Sequence, residues 1–234
     1  MDKKTQKELL DLSRKNYNKI APEYSQSRKR NLDHCWQELL NIIKDVTKGE
    51  SILDIGCGSG KLLKDLGNKE VKYLGVDNSP AMLKEARANY PQYHFVLGDV
   101  LELSKISEIN FDYVFCIATL HHLPSRELRI KALKQMKNKI KNNGKIIVTV
   151  WNLWSRKKTR KLIWKFFILR LIKKNKMDFG DILFDWKSKE GDAISKRYYH
   201  AFTKKELKKI SKKAGLKIEK IFKDDFNYYL VLKK

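Results

Sequence analysis

The sequence predicts a doubly wound α/β fold with a mostly parallel sheet and an antiparallel C-terminal edge strand. Three observations support this. Five hydrophobic strand-like segments alternate with helical patterns between residues 51 and 151, a glycine-rich turn follows the first of them, and a helix with two strand-like segments ends the sequence. Parallel strands need crossover connections, which are usually helices, so this alternation favours a parallel sheet. A strand pair after the last helix is expected to run antiparallel at one edge.

The predicted elements follow in chain order. Residues 4–19 have a helical pattern, and Pro22 and the nearby serines are expected to end that helix before a second one at 33–46. Strands are predicted at 51–56, 72–77, 93–99, 111–118 and 145–151, separated by helices at 61–66, 80–90 and 126–140. A helix at 203–216 and strands at 217–225 and 227–234 follow an interruption.

We interpret residues 1–234 as a single domain, because no repeat or low-complexity linker divides them. Residues 1–46 are the predicted N-terminal helical lid, and residues 152–196 are an insertion that caps the substrate side. The polar N-terminal residues lack a secretory pattern, and the apolar runs are too short to span a bilayer. We therefore expect no stable membrane insertion and a cytoplasmic location. Three scattered cysteines give no metal-binding spacing, so no metal is expected.

The net charge of +24 is the most unusual feature of the composition. Such a surplus favours polyanionic partners, nucleic acid first and acidic membranes second. Lysine outnumbers arginine 41 to 10, and a bias in codon composition alone could produce that pattern. Charge therefore indicates a nucleic-acid partner without establishing it.

The stretch SILDIGCGSGKLL at 51–63 places Gly56, Gly58 and Gly60 between a strand and a helix. A phosphate-binding loop would need four residues between its outer glycines and Ser or Thr after the lysine, and this turn has neither. Acids end three successive strands: Asp54, Asp77 and Asp99. An acid beside the turn disfavours pyrophosphate and favours a ligand that carries ammonium and sulfonium charges. The spacing of Asp77 suits ribose hydroxyls.

This ordered set of motifs, LDIGCGSG, GVDNS and GDV, resembles that of the class I S-adenosylmethionine-dependent methyltransferases over about residues 17–151. The resemblance implies a Rossmann-like methyltransferase fold and S-adenosylmethionine as cofactor. It places Asp54 and the glycine loop at the methionine part, Asp77 at the ribose, and the remaining positions around the adenine or the lid. The implied cofactor-binding residues are Tyr17, Tyr24, Asp54, Gly56, Gly58, Gly60, Asp77, Asn78, Met82, Asp99, Val100 and Ala118.

The acceptor side is indicated by other segments. Adjacent histidines, His121 and His122, follow the fourth predicted strand, and either could face the acceptor. The segments VTVWNLW, DILFDW, RYYHAF and DDFNYYLVLKK resemble the C-terminal half of the transfer-RNA wobble-uridine carboxymethyl methyltransferases. That resemblance implies esterification of a carboxymethyl group on uridine in the tRNA anticodon loop. The matching positions, interpreted as catalytic or acceptor-binding, are Arg28, His121, His122, Trp151, Asp181, Trp186, Tyr199 and His200.

Two departures from that family affect the substrate assignment. Asp185 stands where the family usually has proline, and Phe226 interrupts the usual acidic-asparagine pair of the last strand. A carboxylate acceptor is ionised at neutral pH, so it needs alignment and a cation rather than a general base. Arg28 is the predicted cation, because guanidinium binds carboxylate through two parallel hydrogen bonds.

Residues 155–177 combine an apolar run with basic clusters at both ends. Apolar residues occur nearly all round a helix there, which favours a buried helix with basic ends that contact RNA. Plain burial and a surface for a membrane or partner are the alternatives.

Two further functions stay open from the sequence. One is a small-molecule or lipid-like methyltransferase of the quinone-precursor type. The other is a non-catalytic RNA-binding subunit that keeps the cofactor fold. The resemblance also makes a small activating protein subunit a candidate partner.

Overall fold

The computed structural model describes residues 1–29, 37–187 and 193–234, without the side chains of residues 27–29, 186–187 and 193–194. The helices are α1 (Lys3–Lys29), α2 (Gln37–Ile43), α3 (Lys61–Leu66), α4 (Pro80–Asn89), α5 (Arg126–Lys137), α6 (Lys157–Leu171) and α7 (Lys204–Lys213). The strands are β1 (Ser51–Ile55), β2 (Lys72–Asp77), β3 (His94–Leu97), β4 (Phe111–Ile117), β5 (Ile140–Trp151), β6 (Asp181–Lys187), β7 (Ala193–His200), β8 (Lys217–Lys223) and β9 (Asn227–Lys233).

Within the described residues, seven strands form one sheet in the order β3-β2-β1-β4-β5-β9-β8. The first five strands pair in parallel, β9 pairs antiparallel with β5, and β8 pairs antiparallel with β9. The predicted fold class is therefore confirmed. Strands β6 and β7 form a separate antiparallel pair inside and just beyond the predicted insertion.

Each face of the main sheet packs against helices. One buried cluster joins the sheet to α5 and α7, through residues such as Leu133 and Leu207. The other joins it to α2, α3 and α4, through residues such as Leu39 and Leu83. Burial of apolar surface from both sides is what holds the carboxyl ends of the parallel strands at fixed positions.

The start of α4 shows how local sequence positions the site. Ser79 accepts a hydrogen bond from the backbone N–H of Met82 at 3.2 Å, and Pro80 occupies the first helical position. Both are favourable at a helix N-terminus. This cap fixes the turn that carries Asp77 and Asn78 at the end of β2.

The predicted break after residue 19 is wrong, because α1 continues through Pro22 to Lys29. A proline inside a helix removes one backbone hydrogen bond. Burial offsets that loss here, since Ile20, Ala21 and Ser25 on either side are almost fully buried. The side chain of Asn18 also ties α1 to α4, accepting from the Ser79 hydroxyl at 2.6 Å.

The expected burial of the 155–177 helix is also wrong. In α6 only Ile163 is fully buried, whereas Trp164, Ile168 and Leu171 are 52%, 55% and 64% exposed. The helix packs through one face, with Ile163 and its half-buried neighbours in the cluster that contains Ile182 of β6. Its opposite face points to solvent. None of the helices in the described ranges has the length and hydropathy to cross a membrane.

Candidate active site

A cleft of about 810 Å³ lies at the carboxyl ends of β1, β2 and β4. This is the edge at which open α/β sheets bind ligands. Helix α1 forms the opposite wall through Leu10, Ser13 and Arg14, none of which sequence reasoning had indicated. The lining contains these predicted positions: Tyr17, Tyr24, Gly56, Gly58, Asp77, Asn78, Met82, Asp99, Val100, Ala118 and His122.

The glycine turn brings backbone to the floor of this cleft. Gly56 has φ +71°, and a Cβ there would lie 2.1 Å from Thr119 Oγ1. Its N–H donates to the carbonyl of Val76 at 2.7 Å, which holds the turn against β2. Gly60 does not line the cleft. It precedes α3 with φ +85°, where a Cβ would contact the Tyr90 ring at 2.8 Å, so its role is to shape the loop.

A smaller adjoining cavity contains Asp54 and shares Tyr24, Gly56 and Gly58 with the cleft. The Asp54 side chain is buried and accepts a hydrogen bond from Tyr73 at 2.8 Å. Burial raises the pKa of Asp54 to about 7, the nearby charge of Asp77 adds to the rise, and the Tyr73 hydrogen bond opposes it. A buried carboxyl of this kind binds cations more favourably than phosphates.

The other two strand-end acids lie in the cleft itself. Asp77 accepts backbone hydrogen bonds from Gly58 and Ser79, both at 2.9 Å. Burial raises the pKa of Asp77, although these hydrogen bonds oppose the rise. Asp99 accepts from the N–H of Leu101 at 2.8 Å. Both carboxylates are thus oriented by backbone donors rather than by salt bridges.

These residues fit S-adenosylmethionine. Asp54 would hold the positively charged amino-acid part, Asp77 the ribose hydroxyls and Asp99 the adenine edge, with Met82 and Val100 as apolar walls. A phosphate would meet acids in both cavities. The chemistry of the lining therefore agrees with the absence of a phosphate-binding pattern in the sequence.

We expect the affinity for S-adenosylmethionine to rise as the pH is raised from about 6 to about 7, where the α-amino group of the ligand is still protonated. The pKa of Asp54 is raised to about 7, and a cationic ligand binds the ionised carboxylate more tightly, so binding should release a proton. Titration calorimetry in two buffers of different ionisation enthalpy measures that release. Asp54→Asn is the control and should lose the pH dependence. An equal affinity across the range in the unaltered protein would contradict the assignment.

The turn after β4 completes the cleft. Ala118 has φ +51°, a strained value for a residue with a side chain. Its N–H donates to the carbonyl and the hydroxyl of Thr149 at 3.1 and 3.0 Å, which holds it in place. A 3₁₀ turn over Leu120–His122 follows and sends the two histidines in different directions.

His122 is the histidine that faces the cleft. Its Nδ1 lies 3.3 Å from the carbonyl of Tyr198, which can only accept, so Nδ1 carries the proton. Nε2 therefore accepts from the hydroxyl of Tyr17 at 2.9 Å. Burial lowers the pKa of His122 to about 4, so the ring is neutral at physiological pH. This pair joins α1 to the turn after β4.

His121 lies behind the cleft and is fully buried. Its Nδ1 accepts from the backbone N–H of Trp151 at 3.3 Å, and its Nε2 has no hydrogen-bond partner among the described residues. Burial lowers the pKa of His121 well below its ordinary value. We propose that it packs and positions its neighbours and that His122 is the acceptor-side histidine.

Three aromatic rings stack beside the histidines. Tyr199 stacks on Trp151 at 4.7 Å between ring centroids and on Phe184 at 5.1 Å. The ring of His122 lies 4.7 Å from that of Tyr199. Tyr199 is fully buried, whereas Trp151 is half-buried. Trp151 is the more exposed of the two but does not line the cleft, so its contact with an acceptor stays a prediction.

Asp181 and His200, predicted as catalytic, do not line the cleft. They belong to a buried network in which Asp181 Oδ1 accepts from Arg129 (3.2 Å), Tyr198 (2.8 Å) and His200 (2.7 Å). The other ring nitrogen of His200 faces Glu206 at 2.9 Å. Asp181 begins β6 and His200 ends β7, and their side chains point toward Arg129 of α5 and Glu206 of α7. We interpret them as positioning residues for the β6–β7 pair.

The side chains of Arg28 and Trp186 lie outside the described residues, so their roles stay predictions. Arg197 is a cation that sequence reasoning missed, although it opens the same RYYH motif. It is 6% exposed, donates to the hydroxyl of Tyr199 at 3.5 Å, and its charge contributes to the low pKa of His122. Arg197 therefore places a buried guanidinium next to Tyr199 and near His122, although it does not line the cleft.

Known methyltransferase sequences are similar to this chain. Residues 52–144 match the family described as "Methyltransferase domain". A methyltransferase-named protein of Encephalitozoon cuniculi is 30% identical over 221 residues, covering 93% of each chain. The tRNA (carboxymethyluridine(34)-5-O)-methyltransferase of Schizosaccharomyces pombe is 27% identical over 93% of this chain and 94% of that protein.

The protein of that name from Saccharomyces cerevisiae is 32% identical over 137 residues, which are 58% of this chain. The match spans about half, 47%, of the yeast protein. Longer relatives thus contain additional sequence outside the shared region.

Solved structures match the fold. A methyltransferase from Methanosarcina mazei has a TM-score of 0.67 at 20% identity, covering 83% of this chain and 96% of that one. Another, from Clostridium acetobutylicum, has a TM-score of 0.63 at 19% identity, covering 93% and 98%. These structures show the fold. The Encephalitozoon cuniculi relative, 30% identical over 93% of each chain, shows together with the domain match and the cleft that the chain belongs to the class I S-adenosylmethionine-dependent methyltransferases.

Proposed function

We propose that this enzyme methylates the 5-carboxymethyl group of a modified wobble uridine in tRNA, forming a methyl ester. The observation that carries the proposal is the wall of the cleft at Tyr17 and His122, which are hydrogen-bonded to each other. The ring of His122 lies beside Tyr199, on which Trp151 stacks. The buried guanidinium of Arg197 donates to the Tyr199 hydroxyl at 3.5 Å. A cation and aromatic rings suit an acceptor that joins a carboxylate to a flat base. The names of the fungal relatives support the same acceptor.

Bound S-adenosylmethionine supplies an electrophilic methyl group. The residues of the chain have to orient the acceptor, because an ionised carboxylate needs no general base. In this proposal Arg28 binds the carboxylate and Arg197 adds positive charge from within the wall. Tyr17 and neutral His122 hold the wall through their mutual hydrogen bond. At saturating S-adenosylmethionine, methyl transfer should therefore show no inflection from histidine near pH 6.5.

The deciding experiment is a labelled-methyl assay with two acceptor pools: tRNA that lacks wobble methyl esters, and a lipid extract. We expect label in the tRNA, in an alkali-labile ester found on a modified uridine by nucleoside mass spectrometry. Label only in the lipid would replace the proposal with the small-molecule alternative while leaving the family assignment intact.

Variants in α1 test the role of the cation. Arg28→Ala should lower the rate of ester formation about 10- to 100-fold, the cost of one charge-assisted hydrogen bond. Lys15→Ala removes an exposed charge of the same helix and should have little effect. Equal activity of the two variants would remove Arg28 from the proposed mechanism.

A small activating protein subunit and a cytoplasmic reaction are further parts of this proposal. Support for a protein partner comes from β3, which is an edge strand of the sheet. Its Val96 and Leu97 are 37% and 58% exposed. An unpaired strand edge with exposed apolar side chains can be extended by a strand from a partner.

A further inference from the structure

The outward face of α6 carries cations and apolar side chains together. Lys157, Arg160, Lys161 and Lys165 line a shallow groove with Trp164 and Ile168. The spacing of these residues, three or four apart, puts them on one stripe of the helix. Trp164 lies at the centre of the stripe and is 52% exposed.

The charged residues of this segment are of one sign, although Arg170 pairs with Asp178 and Lys176 with Asp2 beyond the stripe. Residues 156–176 contain ten Lys and Arg residues and no Asp or Glu. A surface with this balance attracts polyanions, and the attraction is strongest where several cations track a backbone of phosphates. An exposed tryptophan between such cations also offers a flat ring on which an unpaired base can stack.

A membrane-surface helix would be built differently. Such a helix separates an apolar face, buried in lipid, from a charged face that points to water. In α6 the inward face is already packed on the protein, through Ile163 in the cluster that contains Ile182 and Tyr199. The outward face mixes cations with Trp164 and Ile168. Mixed aromatic and cationic character fits single-stranded nucleic acid better than lipid.

The position of α6 connects this surface to the active site. Its inward residues contact the cluster that includes Tyr199 and, at its border, Trp151. The outward stripe is therefore separated from the aromatic stack by about one helix diameter, ~10 Å. A strand whose target base enters the acceptor side can place its neighbouring nucleotides along α6.

We infer that the stripe formed by Lys157, Arg160, Lys161, Trp164, Lys165 and Ile168 is a docking surface for single-stranded RNA. Lysine and arginine side chains contact phosphates, and the Trp164 ring stacks on a base. This inference rests on the proposed function and assigns the contacts outside the cleft to the loop nucleotides that flank the modified uridine.

The test measures binding of a synthetic RNA stem-loop and of oligouridine at a series of salt concentrations. A variant with Lys157, Arg160, Lys161 and Lys165 changed to Gln should bind more weakly. Its slope of log affinity against log salt should fall by about 0.7 for each lost phosphate contact. The matched control changes four exposed lysines of α7 to Gln: Lys205, Lys208, Lys209 and Lys212. This control should keep the salt slope of the unaltered protein.

Tryptophan variants test stacking separately from charge. Trp164→Ala should lower affinity roughly 5- to 100-fold, and Trp164→Phe should recover most of it because the flat ring is kept. Circular dichroism and binding of S-adenosylmethionine verify that each variant is folded. Equal losses for Phe and Ala would overturn the stacking contact.

Two results would overturn the docking surface as a whole. One is wild-type RNA affinity and salt slope in the α6 charge variant. The other is an α6 charge variant that loses more binding to vesicles of equal parts phosphatidylglycerol and phosphatidylcholine than binding to RNA. Neither depends on turnover. Nucleoside analysis of reacted tRNA tests the proposed reaction separately, because RNA docking on α6 without ester formation would support this surface and contradict only the proposed reaction.

Discussion

Replacement of Arg129 by Met is expected to destabilise the protein by about 3–5 kcal/mol, the usual cost of breaking a buried ion pair. Arg129 is almost fully buried and donates to Asp181 and Glu206, both at 3.2 Å. It also donates to the carbonyl of Leu123 at 2.9 Å. Without the guanidinium, the carboxylates of Asp181 and Glu206 would share His200 as their partner in a region with little water. Chemical denaturation followed by circular dichroism measures the loss.

The pH dependence of this loss gives a second measurement. Burial alone would raise the pKa of Glu206, but the hydrogen bond from His200 and the charge of Arg129 lower this pKa below its ordinary value. The stabilisation from this group is present above the pKa of glutamate in the unfolded chain and is lost as pH falls through the folded value. Lys105→Met, which removes a highly exposed partner of Glu102, is the control and should leave stability unchanged. If Arg129→Met lost as little stability as Lys105→Met, that result would contradict a stabilising role for the buried network around Arg129.

Gly56→Ala is expected to lower the affinity for S-adenosylmethionine at least about a hundredfold, or roughly 2.7 kcal/mol. The new Cβ would lie 2.1 Å from Thr119 Oγ1, in a backbone conformation with φ +71°. To remove this steric clash, either the glycine turn or the turn after β4 must move, and both turns form the cleft. Isothermal titration with S-adenosylmethionine measures the change.

Gly49→Ala separates the steric contact from backbone strain. Gly49 has φ +85° but nothing within 4 Å of an added Cβ, and it lies outside both cavities. This variant should lose about 1 kcal/mol of stability from strain and keep its cofactor affinity. Comparable cofactor affinity in the two variants would show that the glycine turn tolerates a side chain at position 56.

The fold and the cofactor side of the site could be predicted from the sequence because their signals are local. Each strand is a short hydrophobic segment, and Asp54, Asp77 and Asp99 each lie at or just beyond a strand end. Parallel topology then brings these ends to one edge without further information. The cleft confirms that convergence for Asp77 and Asp99, with Asp54 in the cavity beside them.

The acceptor side could not be predicted in the same way, because its contacts join distant segments. Asp181 meets Arg129, 52 residues earlier in the chain, and a polar residue type does not reveal whether its partner is substrate or protein. The choice between His121 and His122 depends on a single 3₁₀ turn. The sequence pattern also overestimated the burial of α6. Apolar residues lie nearly all round this helix, but only one of its faces packs on the described part of the protein.

Helix α1 borders both the cofactor cleft and the proposed acceptor side. Tyr17 lines the cofactor cleft and bonds to His122, Asn18 binds the turn at the start of α4, and Asn16 donates to the carbonyl of Lys196 in β7. Any ligand that shifts the equilibrium position of α1 changes the cleft and the acceptor side at once. If cofactor and the proposed acceptor both shift α1, we expect their affinities to be thermodynamically linked through this helix, and by reciprocity each ligand would alter the binding of the other by the same factor.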